Sequence, residues 1–472
     1  MFQKNNRYPP EADGRNLLDL IVKLVATGQV RVARNMNFSL LRTWSLRGIA
    51  AIVDQGLYSS SNFILNILLA RWLAPVEYGA FAVAFAIFLF LSGFHNALLL
   101  EPMSVLGPGR YSDRIDAYLL VQMCLHFALT LPLALLLALV GIILRASYLG
   151  DPWLAQALIG SGIALPFILL LWTVRRMFYI LKRPAIAMFS SVLYVLFIGA
   201  GLWVMHSHNM VSLFAAFLWM GIASLLSSIT IMGIGSRWLA KYYEALLSLN
   251  LILRDHWNFG KWILATAVLS VAVGQIQTFL LAGLLNLEAA GAFRAMQNFM
   301  LPMAQAVIAI AILGLPALAY DYGTGDLRSL RQKGLFITIV LTSIAITYEI
   351  LIWALAAPIE RWFYGGKYAA YAWLIPLLGV IPVFTAMSTG FSLILRAIQK
   401  PQVYLIIGIA SSVTGLSSAL MLTSSLGVSG AALSLVLTYF SGLAITLYLY
   451  NRWFQRVETH FLHTKQINLE KL

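Results

Sequence analysis

Asp54, Gln55, Ser59, Asn62 and Asn66 stand in an otherwise apolar stretch, and from Gln55 onward they are spaced by four, three and four residues. In a helix that spacing lines one face. A carboxylate beside amides and a hydroxyl on such a face can hold water, a hydroxylated ligand or a cation. A second set stands later in the chain. Thr266, Ser270 and Gln277 follow the same period, with Gln275 nearby, and Arg294, Gln297, Asn298 and Gln305 share a broad face of the next apolar stretch. Small polar residues also act as packing contacts between apolar helices. Four in register beside a carboxylate favour a water-filled groove.

Ionisable groups inside apolar stretches cost several kcal/mol unless they meet water or a partner, so each is a functional suspect. Arg294 is the most telling, because a planar guanidinium suits the oxygens of a phosphate. Its structural alternatives are an ion pair, with Glu349 as the candidate partner, or snorkelling toward a membrane surface. Asp54 and Glu349 are the candidate ion-coupling carboxylates, although Asp54 could equally cap its helix or pair with a base. His95 and His126 lie mid-stretch, where a proton relay competes with the commoner role of hydrogen-bond donor. His206-Ser207-His208 has no carboxylate or cysteine companion, and Cys124 is the sole cysteine, so no metal site or disulfide is expected. There is no Walker A sequence, no clustered catalytic carboxylates and no cofactor motif. Neither enzyme activity nor a cofactor is expected.

The elements that must position these groups are apolar segments long enough, at roughly twenty residues, to cross a bilayer. Twelve are expected: 48–70, 79–103, 117–143, 153–174, 184–205, 210–234, 259–284, 289–317, 334–358, 370–395, 402–425 and 427–450. A composition 60% hydrophobic and 11% charged, with mean hydropathy +0.82, leaves too little polar surface for a soluble globule. The net charge of +14 follows topology, so no nucleic-acid partner is implied. Of the 32 Lys and Arg, 27 fall in the termini and even-numbered connections and only Arg71, Arg145, Arg361 and Lys367 in the odd-numbered ones. Both termini are therefore expected in the cytoplasm.

The segments form two halves of six. Leu68-Leu69-Ala70, Leu73 and Gly79-Ala80-Phe81 recur 212 residues later as Leu280-Leu281-Ala282, Leu285 and Gly291-Ala292-Phe293. An even number of segments per half puts the pseudo-symmetry axis along the membrane normal. The expected fold is an all-α polytopic membrane protein of two six-helix bundles. Its parts are a basic tail (1–47), whose stretch 17–25 is either an in-plane helix or plain disorder, a first bundle (48–234), an amphipathic cytoplasmic linker (235–258), a second bundle (259–450) and a C-terminal tail (451–472). A cavity between the halves would be lined by the first two helices of each. The outward connections are too short to build the large catalytic loop of a membrane glycosyltransferase or polymerase.

Residues 68–110 carry Arg71 followed by Leu73, then Glu77-Tyr78-Gly79, Glu101-Pro102 and Gly107-Pro108. Phe363-Tyr364-Gly365 with Tyr368 precedes Leu374, and basic residues accompany Pro184 and Pro401. In these features the chain resembles polysaccharide-biosynthesis flippases of the superfamily that also holds MATE drug exporters and the peptidoglycan-precursor flippase. The resemblance implies a MATE-like fold and alternating access. It implies a polyprenyl-diphosphate-linked oligosaccharide as cargo, crossing a bacterial inner membrane, with membrane lipids and other polysaccharide-assembly proteins as partners. Arg294 would then hold phosphate, and Gln55, Asn62, Asn66, Gln277, Gln297 and Asn298 would line the path of the sugar. Competing readings are a cation-coupled multidrug exporter of the same fold, a membrane glycosyltransferase or polymerase, and a scaffold that transports nothing.

Overall fold

The computed structural model describes residues 38–147, 151–235, 248–398 and 401–470. The expected in-plane helix at 17–25 and most of the linker, 236–247, lie outside the described residues, as do the side chains of Thr266 and Ser270. The chain is all-α. In the first half, α1 (Phe38–Trp72) is followed by α2 (Pro75–His95), which runs through a π turn (Asn96–Leu100) into α3 (Glu101–Leu106). Then come α4 (Ile115–Ala146), α5 (Pro152–Ile180), α6 (Pro184–Ser207) and α7 (Leu213–Gly235). The second half holds α8 (Leu249–Leu284), α9 (Leu287–Gln297), a 3₁₀ turn (Asn298–Met300), α10 (Leu301–Gly323), α11 (Leu327–Tyr364), α12 (Leu374–Ala397) and α13 (Pro401–Glu470).

Local sequence explains these boundaries. Proline stands at the first helical position of α2, α5, α6 and α13, where its missing N–H costs nothing. Side chains of Asp151, Asn286 and Asp326 accept backbone N–H groups at the starts of α5, α9 and α11. Gly365 closes α11 in the left-handed conformation, φ 70°. α13 is broken at Gly427 (φ 60°, ψ −130°), which separates the eleventh and twelfth expected segments. Pro102 has no N–H to give the Leu98 carbonyl one turn back, and His256 Nδ1 donates to that carbonyl instead, at 3.0 Å.

Among the described residues eight helices are long and apolar enough to cross a membrane. Helices also run past the expected segment ends. α5 reaches Ile180 and so takes Arg175 and Arg176 out of a connection and into a helix, and α8 begins at Leu249, inside the expected linker.

The first-half helices pack chiefly on one another, through α4 on α5 and α5 on α7, and the second-half helices through α11 on α12 and α12 on α13. The halves meet where α2 crosses α9. There the repeated segments touch each other. A methyl group on Gly79 would strike the Leu287 carbonyl, and one on Gly291 would lie 2.7 Å from the Gly79 nitrogen and 2.8 Å from the Pro75 carbonyl. The duplicated glycines let two backbones come into contact. α2 also meets α8 at its far end, where Gly260 lies against the Ala97 carbonyl of the π turn.

Candidate functional site

Asn286 sets the start of α9, and Arg294 follows it by two turns. Its guanidinium lies over the Phe85 ring of α2, 5.7 Å from the centroid, so it points across the seam between the halves. Among the described residues no carboxylate pairs with it. The expected partner, Glu349, does not reach it: Glu349 presses against Gly379 of α12, and its Oε2 is buried without a hydrogen bond. Arg294 also keeps part of its surface uncovered.

The polar faces close on protein in this conformation. Asn66, Gln277 and Asn298 are buried. Asn66 Nδ2 donates to the Asn62 carbonyl (2.8 Å), and Asn62 Nδ2 in turn to the Tyr58 carbonyl (3.1 Å). Gln277 Nε2 reaches Ser434 at 3.4 Å, and Asn298 Nδ2 donates to the Tyr78 hydroxyl at 3.1 Å. In all three residues the amide nitrogen is used and the amide oxygen is not: Asn66 Oδ1, Gln277 Oε1 and Asn298 Oδ1 are buried without a donor. Gln55 is exposed and donates to Ser59, and Gln297 and Asn62 are half-buried. At about 1.5 Å per residue, Asn66, Gln277 and Arg294 all sit roughly 9–11 Å from the helix ends at the charge-poor face.

Asp54 is not free. Arg175 Nη2 donates to its Oδ2 at 2.8 Å, the Tyr179 hydroxyl donates to the same oxygen, and Ser191 donates to Oδ1. The Arg175 guanidinium also stacks over Tyr58 at 4.5 Å, and the Tyr58 hydroxyl accepts from Trp172 (2.6 Å). Arg175, expected in a connection, is thus a second arginine buried among the helices. Two arginines in succession at the end of a long apolar run read as a helix terminus. Only the packing of α1 on α5 and α6 shows that one of them turns inward.

The charge-poor end is sealed by residues that the sequence singled out for other reasons. Arg71 Nη1 donates to the Trp362 carbonyl (2.7 Å), near the end of α11. Lys367 Nζ donates to the Arg71 and Leu73 carbonyls (2.8 Å to the latter), at the end of α1. Each half's cation therefore caps a helix C-terminus of the other half, where the helix dipole favours positive charge. Burial at this contact lowers the Lys367 ammonium pKa from its ordinary value. Beneath the cations lie Tyr78, Tyr364 and Tyr368, all fully buried, with the Tyr364 hydroxyl donating to the Ala295 carbonyl at 2.7 Å. The Glu77-Tyr78-Gly79 and Phe363-Tyr364-Gly365 motifs are two sides of one seam.

At the basic end the turn after α3 clasps the start of α8. Arg110 and the Tyr111 hydroxyl bind the Asp255 carboxylate at 2.9 and 2.6 Å, and Tyr118 meets His256 Nε2 at 2.8 Å. Burial and the Asp255 hydrogen bond raise the Tyr111 phenol to about 12. Neither acidic residue nor histidine was a candidate from sequence, since both fall in the expected linker.

No known family profile and no characterised sequence matches the chain. Its fold does match solved structures. An inward-facing multidrug resistance MATE family transporter of the MOP superfamily superposes with a TM-score of 0.71 at 14% identity, over 87% of this chain and 99% of that one. The lipid II flippase MurJ in an inward closed conformation gives 0.69 at 15% identity, over 90% and 93%. An outward-facing MATE family transporter gives 0.62 at 14% identity, over 88% and 96%. The chain has the MATE-type fold that these transporters and the lipid II flippase share.

Proposed function

We propose that this protein is an alternating-access membrane transporter that moves an anionic, hydroxyl-rich amphiphile across a bacterial inner membrane. The best-fitting class is a polyprenyl-diphosphate-linked oligosaccharide. The observation that carries this reading is the pairing of unmet valences near the seam. Among the described residues Arg294 is a donor cation with no anion, and Asn66, Gln277 and Asn298 offer buried acceptor oxygens with no donor. Buried polar atoms left unpaired are costly, and a native protein keeps few of them without a use. A diphosphate supplies what Arg294 lacks, and sugar hydroxyls supply what the amides lack. When the seam opens, these groups would face the cargo together with Gln55, Asn62 and Gln297, while the prenyl chain stays in lipid. The charge-poor face would be the outer one, with both termini cytoplasmic. Membrane lipids and other polysaccharide-assembly proteins would be its partners.

Coupling to an ion would fall to carboxylates, Glu349 in the second half and Asp54 in the first. One observation favours a second reading, a cation-coupled multidrug exporter: Glu349 is an unpaired carboxylate within the helices. Deletion of the gene separates the two. Loss of surface glycan with accumulation of completed lipid-linked units, not restored by Arg294→Ala, is the expected result. Unchanged glycan and lipid intermediates, with increased drug sensitivity, would overturn it in favour of the exporter.

A further inference from the structure

His95 closes α2 and His126 lies on α4. The two rings meet with Nε2 of His95 3.0 Å from Nδ1 of His126, and both side chains are fully buried. Their protons can be assigned from their neighbours. His126 Nε2 faces the Pro166 carbonyl at 3.1 Å, and a carbonyl only accepts, so that nitrogen carries hydrogen. In a neutral ring Nδ1 of His126 is then an acceptor, and it takes the Nε2–H of His95. Thr173, 3.2–3.3 Å from the two facing nitrogens, spends its own hydrogen on the Leu169 carbonyl at 2.9 Å and can only accept, from His95 Nε2–H. One atom is left over. His95 Nδ1 is a bare lone pair, buried, with no donor.

We infer that His95 is a proton-binding site of the first half, with Nδ1 as the accepting atom and His126 and Thr173 as the groups that hold it ready. Once Nδ1 is protonated, the His95 Nε2–H bond to His126 becomes charge-assisted and the added charge is spread over two rings. His256 makes the contrast. Its Nδ1 donates to the Leu98 carbonyl, and its Nε2 already accepts from Tyr118 and Gln122 (3.2 Å), so it has no vacant lone pair.

The charged and titratable groups of the surrounding helices are all engaged elsewhere or point elsewhere. On α5, Arg175 and Tyr179 hold Asp54 of α1; on α8, His256 caps the π turn; on α9, Arg294 lies over Phe85. No carboxylate among the described residues contacts either ring. A cation covered by protein without a counter-ion is unfavourable, so loading His95 favours a packing in which α2 has moved to admit water or a carboxylate. α2 is the helix that touches the second half at both ends, at Gly291 and at Gly260. Proton binding here therefore acts directly on the contact that opens and closes. This coupling rests on the alternating-access reading above; the proton site itself does not.

The test uses the full chain in lipid nanodiscs, without cargo, in a Cys124→Ser background. Proton uptake between pH 8 and 4.5 is measured by titration, and the distance across the charge-poor end by double electron–electron resonance between labels at Ser207→Cys and Ala370→Cys. Wild type should take up one more proton per chain than His95→Asn, and its distance should lengthen as pH falls. That lengthening should vanish in His95→Asn. Every other group is common to the two proteins and cancels in the difference. Should His95→Asn fail to fold, ¹⁵N resonances of the wild-type imidazoles report Nδ1 protonation directly. Equal proton uptake, an unprotonated Nδ1 at pH 4.5, or a distance change that survives His95→Asn would overturn the inference. None of these results depends on the cargo, which Arg294→Ala tests separately.

Discussion

The two halves descend from one pattern yet treat buried charge in opposite ways. In the first half Asp54 is met by Arg175, Tyr179 and Ser191, and His95 by His126. In the second half Arg294 and Glu349 lie among the helices with no ion pair among the described residues. Among the described residues Asp321 pairs with Lys333 there at 2.9 Å, at the basic end, with the carboxylate buried and the lysine half-buried. A charge that already has its partner can brace a bundle. A charge held inside without one is available to something that arrives.

The contrast is open to attack, beginning with its largest consequence. Arg175→Ala would strand the Asp54 carboxylate, and breaking a buried pair in this way costs about 3–5 kcal/mol. Thermal unfolding in detergent should fall sharply, and Asp54→Leu combined with Arg175→Met should recover much of the loss. Arg294→Met should do the reverse, leaving the unfolding midpoint unchanged or raised while transport drops roughly ten- to a hundredfold, the worth of about 1.5–3 kcal/mol for a hydrogen bond to a charge. If the two arginine variants behave alike in both assays, the halves are not functionally distinct.

At the seam, Gly291→Val would overpack the α2–α9 crossing by about 1–3 kcal/mol. Cysteine labels on either side of the charge-poor end should then become accessible in a protein that still folds. The smallest expected effect concerns the clasp at the basic end. Tyr111 is held neutral by burial and Asp255, with its pKa raised to about 12 from 10. Its contribution is therefore complete below pH 10 and is lost as pH rises from 10 through 12. Tyr111→Phe should flatten that part of the stability–pH curve and leave the rest unchanged.

Much of the fold was legible in the residues themselves. The duplicated Gly79-Ala80-Phe81 and Gly291-Ala292-Phe293 announced two equivalent halves, because a repeat survives as identity at a fixed offset. Arg294 was legible as an intruder in an apolar run, and Asn66, Gln277 and Asn298 as members of polar faces. The pairing of charges was not. Arg175 looked like the end of a helix, and Asp54 like a carboxylate that could couple an ion, cap its helix or pair with a base. Which carboxylate meets which base depends on helix rotation and crossing over 121 residues of separation, and no local spacing encodes that. His95 and His126 were each visible as lone histidines, but that they share one hydrogen bond is a matter of α2 against α4.

Sequence by itself determined the apolar runs, the repeat at a fixed offset, the asymmetric distribution of lysine and arginine and some of the buried polar residues, because hydropathy, repetition and charge are properties of the chain read in order. Tertiary structure decided that the repeated glycines touch each other, that Arg71 and Lys367 cap each other's half, and that Arg175 meets Asp54 while no described carboxylate meets Arg294. Those outcomes follow from close packing between helices distant in sequence, where a contact forms only if both surfaces, brought together by the whole bundle, leave room for it.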